Sequence, residues 1–312
     1  MPTIRSAPSQ PDANSRRSLV IGATGLVGSH IVAELLARGM AVRGLRRWDS
    51  DVSRLHGLGV ELVVGDALDY HSLVDAMSGC SYVFYAAAPS TALAPRAVLS
   101  QSVKAIRAVI EASREVVVDR LVVTSSAATI ARTSGASLAS EEDIYLPGTS
   151  TDPFVEAKYQ VEQECYRYAA DGAQLVILNP TLCIGPGVDL RAYLQLGVAS
   201  EAPINFVDVR DVAAAHVDAL GAGQIARRYV LGGANARLGD LIGDWQALSE
   251  AQPKRRRLLR RWPARARGDE PRESYLVRCG QWYDTTRAER ELGWRARAPM
   301  LDPSDQHPRP GE

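Results

Sequence analysis

Apolar runs punctuated by glycine and proline recur along the first two thirds of the chain. SLVIG (18–22), AVRGL (41–45), VELVV (60–64), SYVFYAAA (81–88), DRLVVTSS (119–126) and QLVILNP (174–180) read as strands. Most are continuous rather than alternating, the pattern of strands buried on both faces. Between them the apolar spacing turns helical. Residues 26–38 carry Val27, Ile31, Leu35 and Leu36 on one side, 71–77 form a short helix, and 96–114 and 153–170 form long ones. Pro153 suits the first turn of the last of these. The alternation predicts an α/β protein with a doubly wound parallel Rossmann sheet. After Pro180 the pattern loosens. Residues 205–209 and 228–233 read as strands, 210–220 and 239–251 as helices, and 283–294 hold one short helix.

The first strand runs into GATGLVG, which places Gly22, Gly25 and Gly28 at a strand-to-helix turn. Gly22 permits the tight turn, Gly25 lets the backbone approach a pyrophosphate, and Gly28 lets the helix pack closely on the strand. Thr24, Leu26 and Val27 fill the same loop and are counted with the cofactor site. The second strand ends in Arg43, Arg46 and Arg47 where an acidic residue would bind a ribose 2′-hydroxyl. An arginine there pairs with a 2′-phosphate instead, which favours NADP(H) over NAD(H) and singles out Arg46. Asp66 closes the third strand, followed by Ala67, and is placed to bond an adenine amino group.

Composition adds exclusions. The 312 residues hold 36 Lys+Arg and 36 Asp+Glu, a formal net charge of zero, which argues against a dedicated nucleic-acid binder. Four cysteines, Cys80, Cys165, Cys183 and Cys279, are scattered without metal-ligand spacing, as suits a reducing cytoplasm. No metal is expected. Residues 1–17 are polar and lack an apolar core, so they read as a disordered leader rather than a secretory signal.

In order along the chain, GATGLVG, the Gly-Asp pair at 65–66, YAAAP (85–89), LVVTSSAAT (121–129), FVEAK (154–158), NPTLCIGPG (179–187), FVDVRDVAAAH (206–216) and TTRAERELGW (285–294) resemble the extended short-chain dehydrogenase/reductase family. Its dihydroflavonol-reductase and sugar-epimerase branches are the nearest likeness. The resemblance divides the chain into an NAD(P)-binding Rossmann domain at 18–185, to which 205–221 return, and a small, trimmed substrate domain at 186–204 and 222–300, with a polar tail at 301–312.

The resemblance implies that Ser126 bonds the reacting oxygen and that Lys158 holds the nicotinamide ribose. It places Ala86, Ala87 and Ala88 beneath that ribose and Asn179 and Pro180 at the start of the loop bordering the nicotinamide. It also implies a homodimer through helices 96–114 and 153–170. Three departures stand out. Phe154 occupies the position of the catalytic tyrosine, Ser102 that of the asparagine on the long helix, and Tyr85 that of the histidine of the fourth strand. A phenyl ring packs like a tyrosine but moves no proton, and losing a general acid costs about 10²–10⁴ in rate. Tyr159 lies about 100° round the helix from Lys158 and does not replace it by simple geometry.

His216, on an alanine-rich helix, reads as a packed structural histidine. The basic run 254–272 reads first as a solvated loop, and otherwise as contact with an anionic substrate, an acidic partner or a membrane surface. Tyr145, Tyr193 and Trp282 are candidates for lining a pocket. Two classes of function remain open. One is an NADPH-dependent reductase of a small apolar metabolite bearing a carbonyl or imine-like acceptor. The other is a non-catalytic NADP(H)-binding sensor or scaffold, with dehydration or cyclisation in the inherited pocket as a third course.

Overall fold

The computed structural model describes residues 16–88, 93–133, 137–150, 152–186, 188, 200–251 and 280–297. Seven strands form one parallel sheet in the order β3-β2-β1-β4-β5-β6-β9: β1 (Arg17–Ile21), β2 (Val42–Arg46), β3 (Glu61–Val64), β4 (Cys80–Tyr85), β5 (Arg120–Thr124), β6 (Leu175–Pro180) and β9 (Arg228–Leu231). The expected doubly wound sheet is present. In its central strands, successive residues serve opposite faces. Val20 enters the core shared with helices α1 (Leu26–Ala37) and α5 (Val209–Asp218). Leu19 and Ile21 enter the core under α2 (Tyr70–Met77), α3 (Pro95–Glu115) and α4 (Pro153–Ala170). Each strand residue buried on both sides stabilises the sheet through about 25 cal/mol per Å² of apolar area removed from water.

Helix starts follow the local chemistry. Asp69, Asp152 and Asp208 cap α2, α4 and α5 by accepting the backbone N–H two residues on, and prolines open α3 and α4. A second, smaller sheet has the order β10-β8-β7, with β7 (Leu182–Ile184), β8 (Pro203–Asp208) and β10 (Ala234–Arg237). It packs on α6 (Leu238–Ala251) through Leu182, Ile184, Ile204, Phe206, Leu238 and Leu241. The last described helix, α7 (Thr286–Leu292), returns Ala288 and Leu292 to the α1/α5 core and stops at Gly293 in the left-handed region, φ +65°.

Several boundaries differ from the sequence reading. The fourth strand ends at Tyr85, leaving Ala86–Ala88 in a loop, and the fifth ends at Thr124, two residues before Ser126. Residues 205–208, grouped above with the Rossmann part, pair within the smaller sheet, although α5 returns to the large one. Conversely, β9 was assigned to the substrate part and is the seventh strand of the large sheet. β3 is the edge strand of the sheet and leaves Val64 exposed, despite its continuous apolar run. No described helix is long and apolar enough to cross a membrane. The basic run 254–272, Tyr193, Cys279, residues 1–15 and the tail lie outside the described residues, and the expected leader of 1–17 is shorter than that, because Arg17 already belongs to β1.

Candidate active site and cofactor cleft

The strand order reverses between β1 and β4, so the loops leaving these two strands flank a crevice at the carboxyl end of the sheet. The loops touch. A Cβ on Gly22, whose φ is +85°, would lie 2.7 Å from the Ala87 nitrogen, and one on Gly28 would lie 2.1 Å from the Gly22 carbonyl oxygen. Ala86 N–H donates to Ile21 O at 2.9 Å, which ties the second loop to the first strand. Gly25 is the N-cap of α1, with no side-chain capping bond and no acidic residue in the first turn. That end of the helix therefore presents backbone donors and a positive dipole end, suited to a phosphate. Thr24, Leu26 and Val27 are half-buried in the same turn, Ala86 and Ala87 are half-buried opposite, and Ala88 is exposed. The cradle that extra Cβ atoms would fill fits a dinucleotide.

The three arginines of β2 and its loop separate by their partners. Arg43 donates to Glu61 Oε1 and to the carbonyls of Ala76 and Ser78, so it braces the sheet edge. Arg46 is half-buried and donates through Nη1 to the carbonyls of Arg47 and Trp48, both at 3.2 Å. Arg47 is exposed beside Asp49, and the Trp48 ring is 83% exposed. Past β3, Asp66 Oδ1 accepts the Leu68 N–H at 2.9 Å, and Ala67 is half-buried between them.

Ser126 is buried at the start of a single 3₁₀ turn, Ala127–Thr129. Its Oγ accepts the Ala128 N–H at 3.1 Å, which leaves the hydroxyl hydrogen for another acceptor. Lys158, on α4, is also buried, and its Nζ donates to Thr124 O at 2.9 Å. Phe154 lies one turn earlier, with its ring centroid 5.7 Å from that ammonium. The two share a face, as their spacing requires.

Beneath Ser126 lies a network that the sequence reading did not identify. Glu162, fully buried one turn beyond Lys158, accepts through Oε1 from Ser125 Oγ at 2.5 Å, Thr129 Oγ1 at 2.8 Å and Asn179 Nδ2 at 2.6 Å. Its Oε2 faces Arg228 Nη1 at 3.3 Å. Asn179 Nδ2 also donates to Ser126 O at 3.1 Å, so Asn179 is committed to this network, and Pro180 is buried beside it. The visible signal was the spacing 154, 158, 162 along one helix face.

Other candidates resolve as packing. His216 is fully buried between the Thr124 hydroxyl, 2.8 Å from Nε2, and Val212 O, 2.7 Å from Nδ1. Burial pushes its pKa down to about 4, partly opposed by the bond to Val212. Tyr85 is buried and its phenol is raised by desolvation, while Ser102 Oγ donates to Val98 O. Tyr145 OH donates to Glu156 and accepts the Ser150 N–H, and its ring tilts against Tyr159 at 5.2 Å. Trp282 Nε1 donates to Ala236 O. Among the described residues no cluster of His, Cys, Asp and Glu could hold a metal ion, and Cys80, Cys165 and Cys183 are unbridged.

Comparison with known proteins agrees with this architecture. The chain is 32% identical over 240 residues to a putative dihydroflavonol 4-reductase of Synechocystis, covering 72% of this chain and 69% of that one. It is 30% identical over 311 residues to sterol demethylase protein B of Methylococcus capsulatus, covering 88% and 92%. The crystal structure of Thermus thermophilus UDP-glucose 4-epimerase in complex with NAD shares the fold, with a TM-score of 0.72 at 21% identity over 92% of this chain and 96% of that one. The family model for the NAD dependent epimerase/dehydratase family matches residues 18–232. The chain therefore belongs to the NAD dependent epimerase/dehydratase family, within the extended short-chain dehydrogenases/reductases, and is an NAD(P)-dependent oxidoreductase.

Proposed function

We propose that the chain is an NADPH-dependent reductase of a small, apolar, carbonyl-bearing metabolite. The observation that carries this reading is the coupling of Ser126 and Lys158 at the end of β5. The ammonium is anchored on Thr124 O, two residues before a serine whose hydroxyl hydrogen remains to be donated. The relatives named for dihydroflavonols and sterols support an apolar, polycyclic acceptor for this chain as well. A bound nicotinamide would supply the hydride. The protein's own groups would then act on the acceptor oxygen. Ser126 donates a hydrogen bond to it, and the Lys158 charge stabilises the oxyanion that develops. In this reading the final proton comes from water, because Phe154 carries none. Arg46 would pair with the 2′-phosphate that distinguishes NADPH.

Phe154 itself favours a second reading, a protein that holds NADP(H) without turning it over. Titration with NADPH and NADH, followed by fluorescence, tests the cofactor. Selective NADPH binding is expected, and binding of neither would end the reductase reading. Ser126→Ala then separates the two readings. A reductase loses turnover with unchanged NADPH affinity, whereas a scaffold has no turnover to lose. The reading predicts a soluble cytoplasmic enzyme that dimerises through α3 and α4. Sedimentation of the purified protein at the monomer mass would remove the dimer.

A further inference from the structure

Glu162 joins four segments that the chain keeps far apart. It accepts from Ser125 and Thr129 on either side of Ser126, from Asn179 at the end of β6, and from Arg228 at the start of β9. Asn179 Nδ2 on Oε1 and Arg228 Nη1 on Oε2 can only donate, so each oxygen of the group they hold faces an obligate donor, as a carboxylate requires. It has no exposed surface, and a buried ion is retained only where such partners satisfy it. Asn179 adds a direct bond to Ser126 O, and Thr129 Oγ1 lies 2.8 Å from the same oxygen. Lys158, one turn before Glu162 on the same face, anchors to Thr124 O. One face of α4 is thus pinned to the 124–129 segment at two successive levels.

We infer that Glu162 is a positioning residue whose carboxylate, with Asn179, sets Ser126 in register with Lys158 beneath the nicotinamide half of the cofactor. This rests on the NADPH-reductase reading. Glu162 itself lies under the Ser126 backbone and acts only through it. A neutral amide cannot reproduce the clamp. In either orientation, Glu162→Gln points an NH₂ at a group that can only donate, either Arg228 Nη1 or Asn179 Nδ2.

The test compares two ligands that share the adenine half, NADPH and adenosine 2′,5′-bisphosphate. Glu162→Gln is expected to weaken NADPH about tenfold, the scale of one charge-assisted hydrogen bond. It should leave the bisphosphate within about twofold, because that ligand does not reach Ser126 or Lys158. A general loss of stability would move both ligands together. Equal weakening, or no change in either, would therefore overturn the positioning role. If Glu162→Gln does not fold, Thr129→Val gives the same comparison, since it removes one donor and keeps the ion pair with Arg228. Wild-type protein that binds the bisphosphate but gains nothing from the nicotinamide half would sink the reductase reading and this role together. Wild-type selectivity for NADPH with an unchanged ratio in the variants would sink this role alone.

Discussion

Phe154 and Lys158 face each other across one turn of α4, with the ammonium 5.7 Å from the ring centroid. The ring keeps the shape of a phenol and the lysine keeps the charge that would lower a phenol's pKa. Restoring the hydroxyl is therefore a one-atom experiment. Phe154→Tyr is expected to raise turnover of simple ketones by about 10² or more, within the range attributed to general acid catalysis. NADPH affinity should not change. Steady-state assays on a panel of ketones measure both, and unchanged turnover would mean the ring is not aimed at the acceptor.

Arg46 sits at the end of β2 with its guanidinium on two backbone carbonyls of the following turn. Carbonyls compensate a cation only partly, so a phosphate dianion would be a stronger partner. Arg46→Ala is expected to weaken NADPH by about tenfold or more and to leave NADH within about twofold. Arg43, committed to Glu61 and two carbonyls, is the contrast. Arg43→Ala should lower the melting temperature without altering the NADPH-to-NADH ratio. Equal ratios for wild type and Arg46→Ala would count against the 2′-phosphate role.

The strands legible in the sequence are those whose side chains are buried on both faces, such as LVV at 121–123, because double burial writes a continuous apolar run. β10 (Ala234–Arg237), a tetrapeptide of alternating alanine and polar residues, is held by its antiparallel pairing with β8 and left no such run. β7 is apolar but only three residues long, too short for its spacing to distinguish a strand. The strand ends were overextended where small residues follow the apolar run, at Ala86–Ala88 and at Ser125–Ser126. There the backbone has already turned away to form the cleft. The candidate site residues just beyond β5 and on α4 were legible from their order along the chain. Glu162 was not, because its role comes from burial against three other segments that no spacing rule joins.

The glycine turn offers a geometric prediction. A Cβ at residue 28 would meet the Gly22 carbonyl oxygen at 2.1 Å, and its three nearest atoms are all backbone, so α1 itself would have to move. Gly28→Ala is expected to displace the helix N-terminus from any phosphate and to weaken NADPH by about 100-fold or more, with a lower melting temperature. Gly59, with ordinary φ and nothing within 4 Å of its would-be Cβ, is the control, and Gly59→Ala should leave both measurements unchanged. NADPH fluorescence and thermal melts on the two variants decide it. Retained affinity in Gly28→Ala would place the phosphates elsewhere.

Stability should depend on acid through His216. Burial holds the folded pKa at about 4 against an ordinary value of 6.5, so the unfolded chain takes up the proton first as pH falls. The neutral ring donates from Nδ1 to Val212 O and accepts at Nε2 from the Thr124 hydroxyl. Its contribution is fully present above about pH 6.5, shrinks as pH falls below that value, and is gone once the folded group also protonates near pH 4. Between pH 7 and pH 5 the linked loss is about 2 kcal/mol. His30, also buried and lowered chiefly by desolvation, contributes in the same direction. Urea unfolding at pH 7 and pH 5 measures the sum, and His216→Gln should remove about 2 kcal/mol of the difference whatever it does to stability at pH 7. If the variant kept the wild-type acid sensitivity, the proton would be entering somewhere other than the ring that braces Thr124 beneath Lys158.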